Sequence, residues 1–517
     1  VTIAVLAEKP SVARDIAAVL GAKRAQEGLL AGNGYVVTWA IGHLVGLAEP
    51  QEMEPSWKTW RSDLLPMLPR KWDLVVHPGT RTHFARVKAV LNDPSVDHVV
   101  CATDAGREGE LIFRYIYRAA RCRKPVSRLW ISSLTPDAIR TGFQRLRPGK
   151  DFDPLASAAE ARSRADWLVG MNLSRAYTLR YDAGVLSVGR VQTPTLAMIV
   201  ERELAIRDFV PEAYCEVEAT FGAQEGAYAG TWFDPGARRA EDAPPPERLP
   251  GDGVQAEAIR ARCAGREGEV QSAKGADKSM PPPLLHDLAE LQRQANRLFG
   301  LRAETTLSVA QALYEKHKLI TYPRTDSRHL SQDVAATLGP VVAAIAPAYG
   351  NAVAAGSGTR PLSTRFVQDA KVTDHHAIIP TAHPSRDKNL SRDEQRVYDL
   401  VCRRLLMAWH DPYETRVTTV ITAVQSDQAN DLFRSSGTMV TKMGWKVLDI
   451  SSKGKGEGPD LPSGLASGQR HPVRKVDVLH KETKPPKRYN DASLLTAMET
   501  AGKALDDREL EQAMRDR

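Results

Sequence analysis

The chain contains no Cys-x-x-Cys pair. Its five cysteines, Cys101, Cys122, Cys215, Cys263 and Cys402, are scattered and odd in number. That argues against a zinc ribbon and a disulfide framework and fits a reducing compartment. No run of about 18 apolar residues occurs, so nothing reads as a membrane span. The first residues, Val-Thr-Ile-Ala-Val-Leu-Ala, meet Glu8-Lys9 at once, too short and wrongly flanked for a signal peptide. A G-x-x-x-x-G-K-S/T phosphate loop is missing as well. So is a strong charge excess: 70 basic against 63 acidic residues leave +7, which permits a nucleic-acid partner without demonstrating one. With 42% hydrophobic and 26% charged residues over 517 positions, the expectation is a cytoplasmic protein of several domains.

Strand and helix patterns alternate through the first 150 residues. Ile3–Ala7 is an apolar strand, and Ser11 can cap a helix over Val12–Leu20 that stops at Gly21. Further strands read Tyr35–Ala40, Trp72–Val76, His98–Thr103 and Arg128–Ser132, with helical patterns at Thr82–Leu91, Gly109–Arg118 and Pro136–Leu146. This alternation predicts a largely parallel sheet with helices on both faces.

Ala156–Tyr181 is one long helical pattern carrying Arg162, Arg164, Arg175 and Arg180, and Thr195–Arg207 is a second. From 211 to 280 the pattern is strand-like (Tyr214–Phe221, Tyr228–Phe233), interrupted by a Pro/Gly-rich loop over Pro235–Gly251. Helices return over Pro283–Leu298 and Ala303–Lys318, then over 390–410, with strands expected at 414–425 and 438–450. Ser451–Gly468 has the Gly/Ser/Lys composition of a mobile loop. The last stretch, Ala492–Arg517, reads as a charged helix without a Gly or Pro stop, as if a C-terminal portion were missing. The string GREGE occurs at 106–110 and again at 265–269. The second copy lacks the preceding strand and aspartate and is taken as coincidence.

Two constellations carry chemistry. In Ile-Thr-Tyr-Pro-Arg-Thr-Asp-Ser (320–327), a phenol, Tyr322, stands two residues from a guanidinium, Arg324. A free tyrosine has a pKa near ~10, so only about one in ~1,000 is ionised at pH 7. A fixed arginine would favour the phenolate and grip a phosphate; taken alone, the same residues also describe a Tyr-Pro turn. The second constellation is acidic. Glu8 follows the first strand and Asp104 follows His98–Thr103, which places both at carboxyl ends of strands, where open α/β sheets hold ligands. Asp104, Glu108 and Glu110 open the next helix in DAGREGE. Such oxygens suit Mg²⁺, or they complement a helix dipole.

AEKPS (7–11) and TDAGREGE (103–110) resemble the two signatures of a Toprim domain, and ITYPRTDS resembles the active-site motif of type IA DNA topoisomerases. Further matches are SRADWLVGMNLSRA (163–176), LSVGRVQTPTL (186–196) and DHHAIIPT (374–381). The AEKPS, DHHAIIPT and RYNDASLLTAMETAG (488–502) forms are similar to the topoisomerase III branch. The resemblance runs in order along essentially the whole chain. It implies a multi-domain α/β plus α and β fold arranged as a toroidal gate. The expected parts are a Rossmann-like Toprim domain (1–150), a helical DNA-binding domain (151–210 and 481–517), a β-rich hinge domain (211–280 and 411–480) and a helical domain (281–410) carrying the tyrosine. The Pro235–Gly251 loop would stand where topoisomerase III carries a decatenation loop.

The resemblance also implies roles. Tyr322 becomes the nucleophile that retains a 5′-phosphotyrosyl link, and Arg324 the stabiliser of phenolate and phosphate charge. Glu8 becomes proton donor or metal neighbour, Lys9 a phosphate contact, and His375 the histidine at the cleaved phosphate. Glu8, Asp104 and Glu108 become Mg²⁺ ligands. Arg162, held by Asp166, becomes a phosphate contact, although Arg162 and Asp166 are also an ordinary i,i+4 pair. Gly189 allows a close approach or a hinge, and Arg190 and Gln192 face the single strand. Trp167, Tyr177 and Tyr181 lie near basic residues and can stack bases, though Trp167 fits a core position equally well.

Expected partners are single-stranded DNA and negatively supercoiled or catenated DNA, with a helicase or single-strand-binding protein in addition. The protein is expected to be monomeric, bacterial and nucleoid-associated. Two departures stand out. The family's Asp-x-Asp-x-Glu reads Asp104-Ala105-Gly106-Arg107-Glu108 here, which removes one potential ligand of a second metal. The other is the end at Arg517, where family members continue. Competing readings are a Toprim nuclease or primase, which does not need Tyr322, and a single-strand-binding remnant.

Overall fold

The structure, a computed structural model, describes residues 2–132, 134–181, 183–237, 245–372, 375–383, 389–452 and 461–501. They form two compact units. The first comprises Val1–Ile199, Leu284–Leu405 and the chain from Asn490 on; the second comprises Val200–Pro283 and Leu406–Tyr489.

The first unit begins with the strands Thr2–Ala7 (β1), Arg24–Gln26 (β2), Leu29–Gly32 (β3), Tyr35–Trp39 (β4), Val45–Leu47 (β5), Leu74–Val76 (β6), Val96–Ala102 (β7), Val126–Arg128 (β8) and Arg147–Pro148 (β9). Seven of them make one sheet in the order β2-β3-β4-β1-β7-β8-β9. Its centre, β4-β1-β7-β8, is parallel, and its core strands β1 and β7 are apolar and buried along most of their length. Helices Pro10–Leu20 (α1), Arg81–Asn92 (α2), Arg107–Ala119 (α3) and Pro136–Gln144 (α4) accompany it.

Both edges are antiparallel, which the alternating pattern did not foretell. The reason is local. Two-residue turns join β2 to β3 and β3 to β4, and Gly28, Asn33 and Gly34 take φ of 83°, 51° and 78°. Asn-Gly in that conformation closes a hairpin, whereas a parallel connection needs a dozen residues or more. The expected strand Trp72–Val76 is also displaced. Only Leu74–Val76 is extended, and it pairs with β5 in a separate two-stranded ribbon. Its residues are half-buried rather than buried on both faces, so it does not suit the sheet centre.

Helix Asp153–Arg180 (α5) follows with a proline in its first turn, then Gln192–Arg207 (α6), Leu288–Phe299 (α7) and Ala303–Glu315 (α8). Beyond α8 the chain turns extended and runs antiparallel to residues 377–381. The Thr321 N–H donates to Ile379 O at 2.9 Å, and Ile320 bridges Pro380. This pairing brings the tyrosine motif and the His-His motif together.

The second unit is built on a seven-stranded antiparallel sheet: Ala213–Ala223 (β10), Gly226–Trp232 (β11), Leu249–Pro250 (β12), Glu267–Met280 (β13), Tyr413–Gln425 (β14), Asn430–Lys442 (β15) and Arg470–Glu482 (β16). β10 also pairs with β11, so the sheet closes on itself around Phe221, Val270, Val420 and Phe433. A helix, Val254–Cys263, lies in the stretch expected to be strand-like and buries Ala256 and Ile259 against that core. Of the Pro235–Gly251 loop, residues 238–244 lie outside the described residues. The same holds for 453–460 in the Gly/Ser/Lys stretch and for the chain beyond 501. The described part of the last helix is Asp491–Glu499.

Candidate active site

Strands β1 and β7 are parallel neighbours, with Ala7 opposite Ala102. Glu8 and Asp104 therefore leave the sheet side by side, and the Asp104 N–H donates to the Glu8 carboxylate at 3.1 Å. Glu8 is buried and Asp104 half-buried. Burial and the Asp104 charge push Glu8 up to about 7, with Lys9 opposing. Burial likewise raises Asp104, although Lys9 works against it. Lys9 itself is pulled down by burial and more than restored by its hydrogen bond to Glu315 and the charge of Asp104, so it remains a cation.

The other acids of DAGREGE go elsewhere. Glu108, in the first turn of α3, faces His43 Nε2 at 3.4 Å and Arg324 Nη1 at 3.5 Å. The hydrogen bond from His43 holds its carboxyl below the usual range despite partial burial. Glu110 points inward, 2% exposed, between Arg114 at 2.8 Å and Arg128 at 3.1 Å. It is a structural ion-pair centre. Among the described residues, no three His, Cys, Asp or Glu side chains converge as a metal site. The set Glu8, Asp104, Glu108 is thus arranged as a close pair and a neighbour held by His43 and Arg324.

Arg128 braces this loop from below. Its guanidinium is 1% exposed and donates to the carbonyls of Cys101, Thr103, Leu129 and Asp104. Gly109 is required by the same tight turn, since a Cβ there would lie 2.0 Å from the Asp104 carbonyl oxygen.

Tyr322 meets this acid pair. Its N–H donates to Ser132 O at 2.9 Å, and its hydroxyl stands 3.5 Å from Asp104 Oδ2. The ring packs against His375 (centroids 4.3 Å apart) and against the edge of Tyr314 (5.4 Å). Burial, then the carboxylates of Asp104 and Glu8, raise the phenol above its ordinary pKa, and Arg324 opposes without prevailing. Arg324 favours the phenolate, in the expected direction, but burial and the two carboxylates outweigh it. Its guanidinium turns to Glu108 and to Gln311 of α8, whose amide oxygen, suitably turned, accepts from Nε and Nη2 at 3.2 and 3.1 Å. Arg324 remains exposed at the cleft. His375 is 3% exposed; burial, then His376 and Arg128, push it down to about 3, so the imidazole is neutral.

A cleft of about 520 Å³ opens beside Tyr322, lined by His43, Glu108, Arg162, Asp166, Tyr322, Arg324 and His375 among others. Arg162 is exposed on α5, but Asp166 does not hold it. The Asp166 carboxylate takes Arg190 Nε at 2.7 Å instead. A tertiary partner from the 186–190 loop outcompetes the i,i+4 neighbour. At Gly189 the nearest atom to an added Cβ would be Gln192 Cβ at 3.4 Å, so the backbone does not demand glycine. Gln192 opens α6, exposed. Trp167 belongs to the core, buried against Trp57 and Trp72 with its N–H on Ala48 O, whereas Tyr177 and Tyr181 are exposed.

Several site residues went unnoticed in the sequence: His43, Gln311, Tyr314, Glu315 and Ser132. The spacing of Gln311, Tyr314 and Glu315 (i, i+3, i+4) puts them on one face of the helix before the tyrosine motif, a signal that was available. His43 and Ser132 sit in loops after strands and carry no comparable signal.

Residues 150–502 match the DNA topoisomerase family and residues 3–134 the Toprim domain. The chain is 42% identical over 499 residues to DNA topoisomerase 3 of Shouchella clausii, covering 96% of this chain and 66% of that protein. With DNA topoisomerase 3 of Bacillus subtilis it shares 41% over 509 residues, covering 96% and 67%. It thus spans about two thirds of the length of these relatives. The fold is similar to full-length topoisomerase I from Thermotoga maritima, with a TM-score of 0.70 at 23% identity over 99% of this chain and 77% of that one. A tyrosine beside the acid pair of a Toprim sheet and sequence matches over 96% of the chain lead to one conclusion: the chain belongs to the DNA topoisomerase family, in its type IA class and on its topoisomerase 3 branch.

Proposed function

We propose that this chain cleaves one DNA strand through a 5′-phosphotyrosine at Tyr322, lets a second strand pass, and rejoins the first without ATP. The observation that carries this is the Tyr322 phenol standing 3.5 Å from Asp104, which is itself hydrogen-bonded to Glu8, while Tyr322, Arg324 and His375 line one cleft. The Tyr322 oxygen attacks phosphorus and the bond to the 3′-oxygen breaks. The phenol is protonated at rest, so its proton needs an acceptor, and Asp104 is the nearest. The leaving 3′-oxygen needs a proton, and Glu8, pushed up to about 7, is a fitting donor at neutral pH. The acid pair thus passes on as many protons as it receives, and rejoining is the reverse. Arg324, exposed and cationic, and Lys9 neutralise charge growing on the phosphate.

Glu8 and Asp104 are adjacent hard-oxygen donors, which suits Mg²⁺ with most of its waters retained, and Glu108 can join on leaving His43. When bound, the ion supplies positive charge that orients the phosphate and supports rejoining. Arg162, Arg190 and Gln192 offer a path for the single strand along α5 and the start of α6. Negatively supercoiled or catenated DNA is the substrate class, with a helicase or single-strand-binding protein as accessory, acting on a monomer in the bacterial nucleoid.

The test is covalent capture. With Mg²⁺ and single-stranded DNA, denaturation should leave the protein attached to a 5′ end. Tyr322→Phe should abolish the adduct while leaving binding nearly intact. Persistence of the adduct in that variant, or cleavage without any adduct in the parent, would overturn the assignment, the latter in favour of a Toprim nuclease.

A further inference from the structure

The tyrosine and its histidine are both held by one short stretch, Trp130-Ile131-Ser132, that follows β8. Ser132 O accepts the Tyr322 N–H at 2.9 Å, and Ser132 Oγ lies 3.2 Å from His375 Nδ1. The indole of Trp130 is nearly parallel to the His375 ring, 12° apart with centroids at 6.1 Å, and its stack continues to Phe152 at 4.9 Å. His375 is therefore covered by Trp130 and by Tyr322 at 4.3 Å, which blocks a flip that would exchange its nitrogens. Its other nitrogen, Nε2, is buried and has no partner among the described residues, although the residue lines the cleft.

We propose that Ser132 is a positioning residue that sets the tautomer of His375. Its hydroxyl donates to Nδ1, so the ring proton resides on Nε2 as a donor aimed at an oxygen of the scissile phosphate. The inference rests on the reading of Tyr322 as the nucleophile. A neutral imidazole has one donor and one acceptor nitrogen, and the second is fixed by what the first is bonded to. A phosphate oxygen only accepts. A neutral His375 can therefore hold it only with the proton on Nε2, which requires a donor at Nδ1. The Ser132 hydroxyl is the group at that nitrogen, and it has no other hydrogen bond among the described residues. Burial keeps the ring neutral, so the alternative of two N–H groups does not arise at working pH.

The test uses the full chain with ¹⁵N-labelled histidine and no DNA. Long-range proton–nitrogen spectra report the tautomer, and the His375 signal is the one lost in His375→Gln. The parent should show the Nε2–H form, and Ser132→Ala should shift it toward a mixture. In single-turnover cleavage with Mg²⁺, Ser132→Ala should be slower by about tenfold with DNA affinity unchanged, the scale of one misdirected hydrogen bond. Ser132→Thr, which keeps the hydroxyl, should restore both. An Nδ1–H tautomer in the parent would overturn the proposal, as would an unchanged tautomer and rate in Ser132→Ala. Absence of an adduct in the parent counts against the proposed function alone, because the tautomer still decides the role of Ser132.

Discussion

Glu8 and Glu110 are both buried carboxyls at the same end of the same sheet, yet they are built in opposite ways. Glu110 is bracketed by Arg114 and Arg128, and Arg128 is itself fixed by four carbonyl oxygens. Glu8 faces another carboxylate, Asp104, and its nearest cation, Lys9, is partly diverted to Glu315. One site is compensated and holds the loop in shape. The other is left electrostatically strained, with Glu8 pushed up to about 7 and Asp104 raised as well. Burial alone therefore does not mark chemistry in this fold; uncompensated burial does.

The contrast breaks most visibly at its compensated side. Glu110→Ala leaves Arg128 buried without its carboxylate, a loss of about 3–5 kcal/mol by the usual cost of orphaning a buried charge. Chemical or thermal unfolding should show it, and a loss under about 1 kcal/mol would mean that the carbonyls alone suffice to hold Arg128.

The strained side should behave in the opposite sense. A carboxyl raised from 4.5 to about 7 keeps its proton in the fold at pH values where the unfolded chain has released it. Stability is therefore unaffected below about pH 4.5, falls as pH rises toward 7, and is flat above, a total of about 3 kcal/mol. In metal-free buffer, Glu8→Gln should remove most of that slope and be the more stable protein at pH 8, while abolishing cleavage. Parallel pH profiles of unfolding for parent and variant would show that Glu8 is not strained.

How much of this was visible beforehand follows from the range of the interactions. The alternation of strands and helices places Glu8 and Asp104 at strand ends, since that depends on local pattern. That the two strands are neighbours depends on topology, and only the resemblance supplied it. The antiparallel edges were legible after all, in Asn33-Gly34 and its positive φ, but a search for alternation passes over a hairpin. Asp166 shows the harder limit. Its helical neighbour Arg162 and the loop residue Arg190 are equally plausible from sequence, and the choice is made by how the 186–190 loop lies against α5. The role of Ser132 lies further still from view, because a serine in the loop after β8 has no pattern that marks it.

The smallest effect concerns the position where this chain departs from the family's acidic pattern. Gly106 takes φ 172°, an extended conformation open to any residue, and a Cβ built there has nothing within 4 Å. It is also the residue that caps α3, where aspartate is preferred over glycine by a few tenths of a kcal/mol. Gly106→Asp should therefore fold as well as the parent. The added carboxylate lies between Asp104 and Glu108, so it sharpens the strained side without touching the compensated one. The repulsion it adds is relieved only by a cation, and the Mg²⁺ concentration for half-maximal rejoining should fall by about threefold, less than 1 kcal/mol. A Mg²⁺ titration of adduct reversal decides it. If the midpoint does not move, position 106 contributes no ligand, and the departure from the family pattern leaves metal binding as it was.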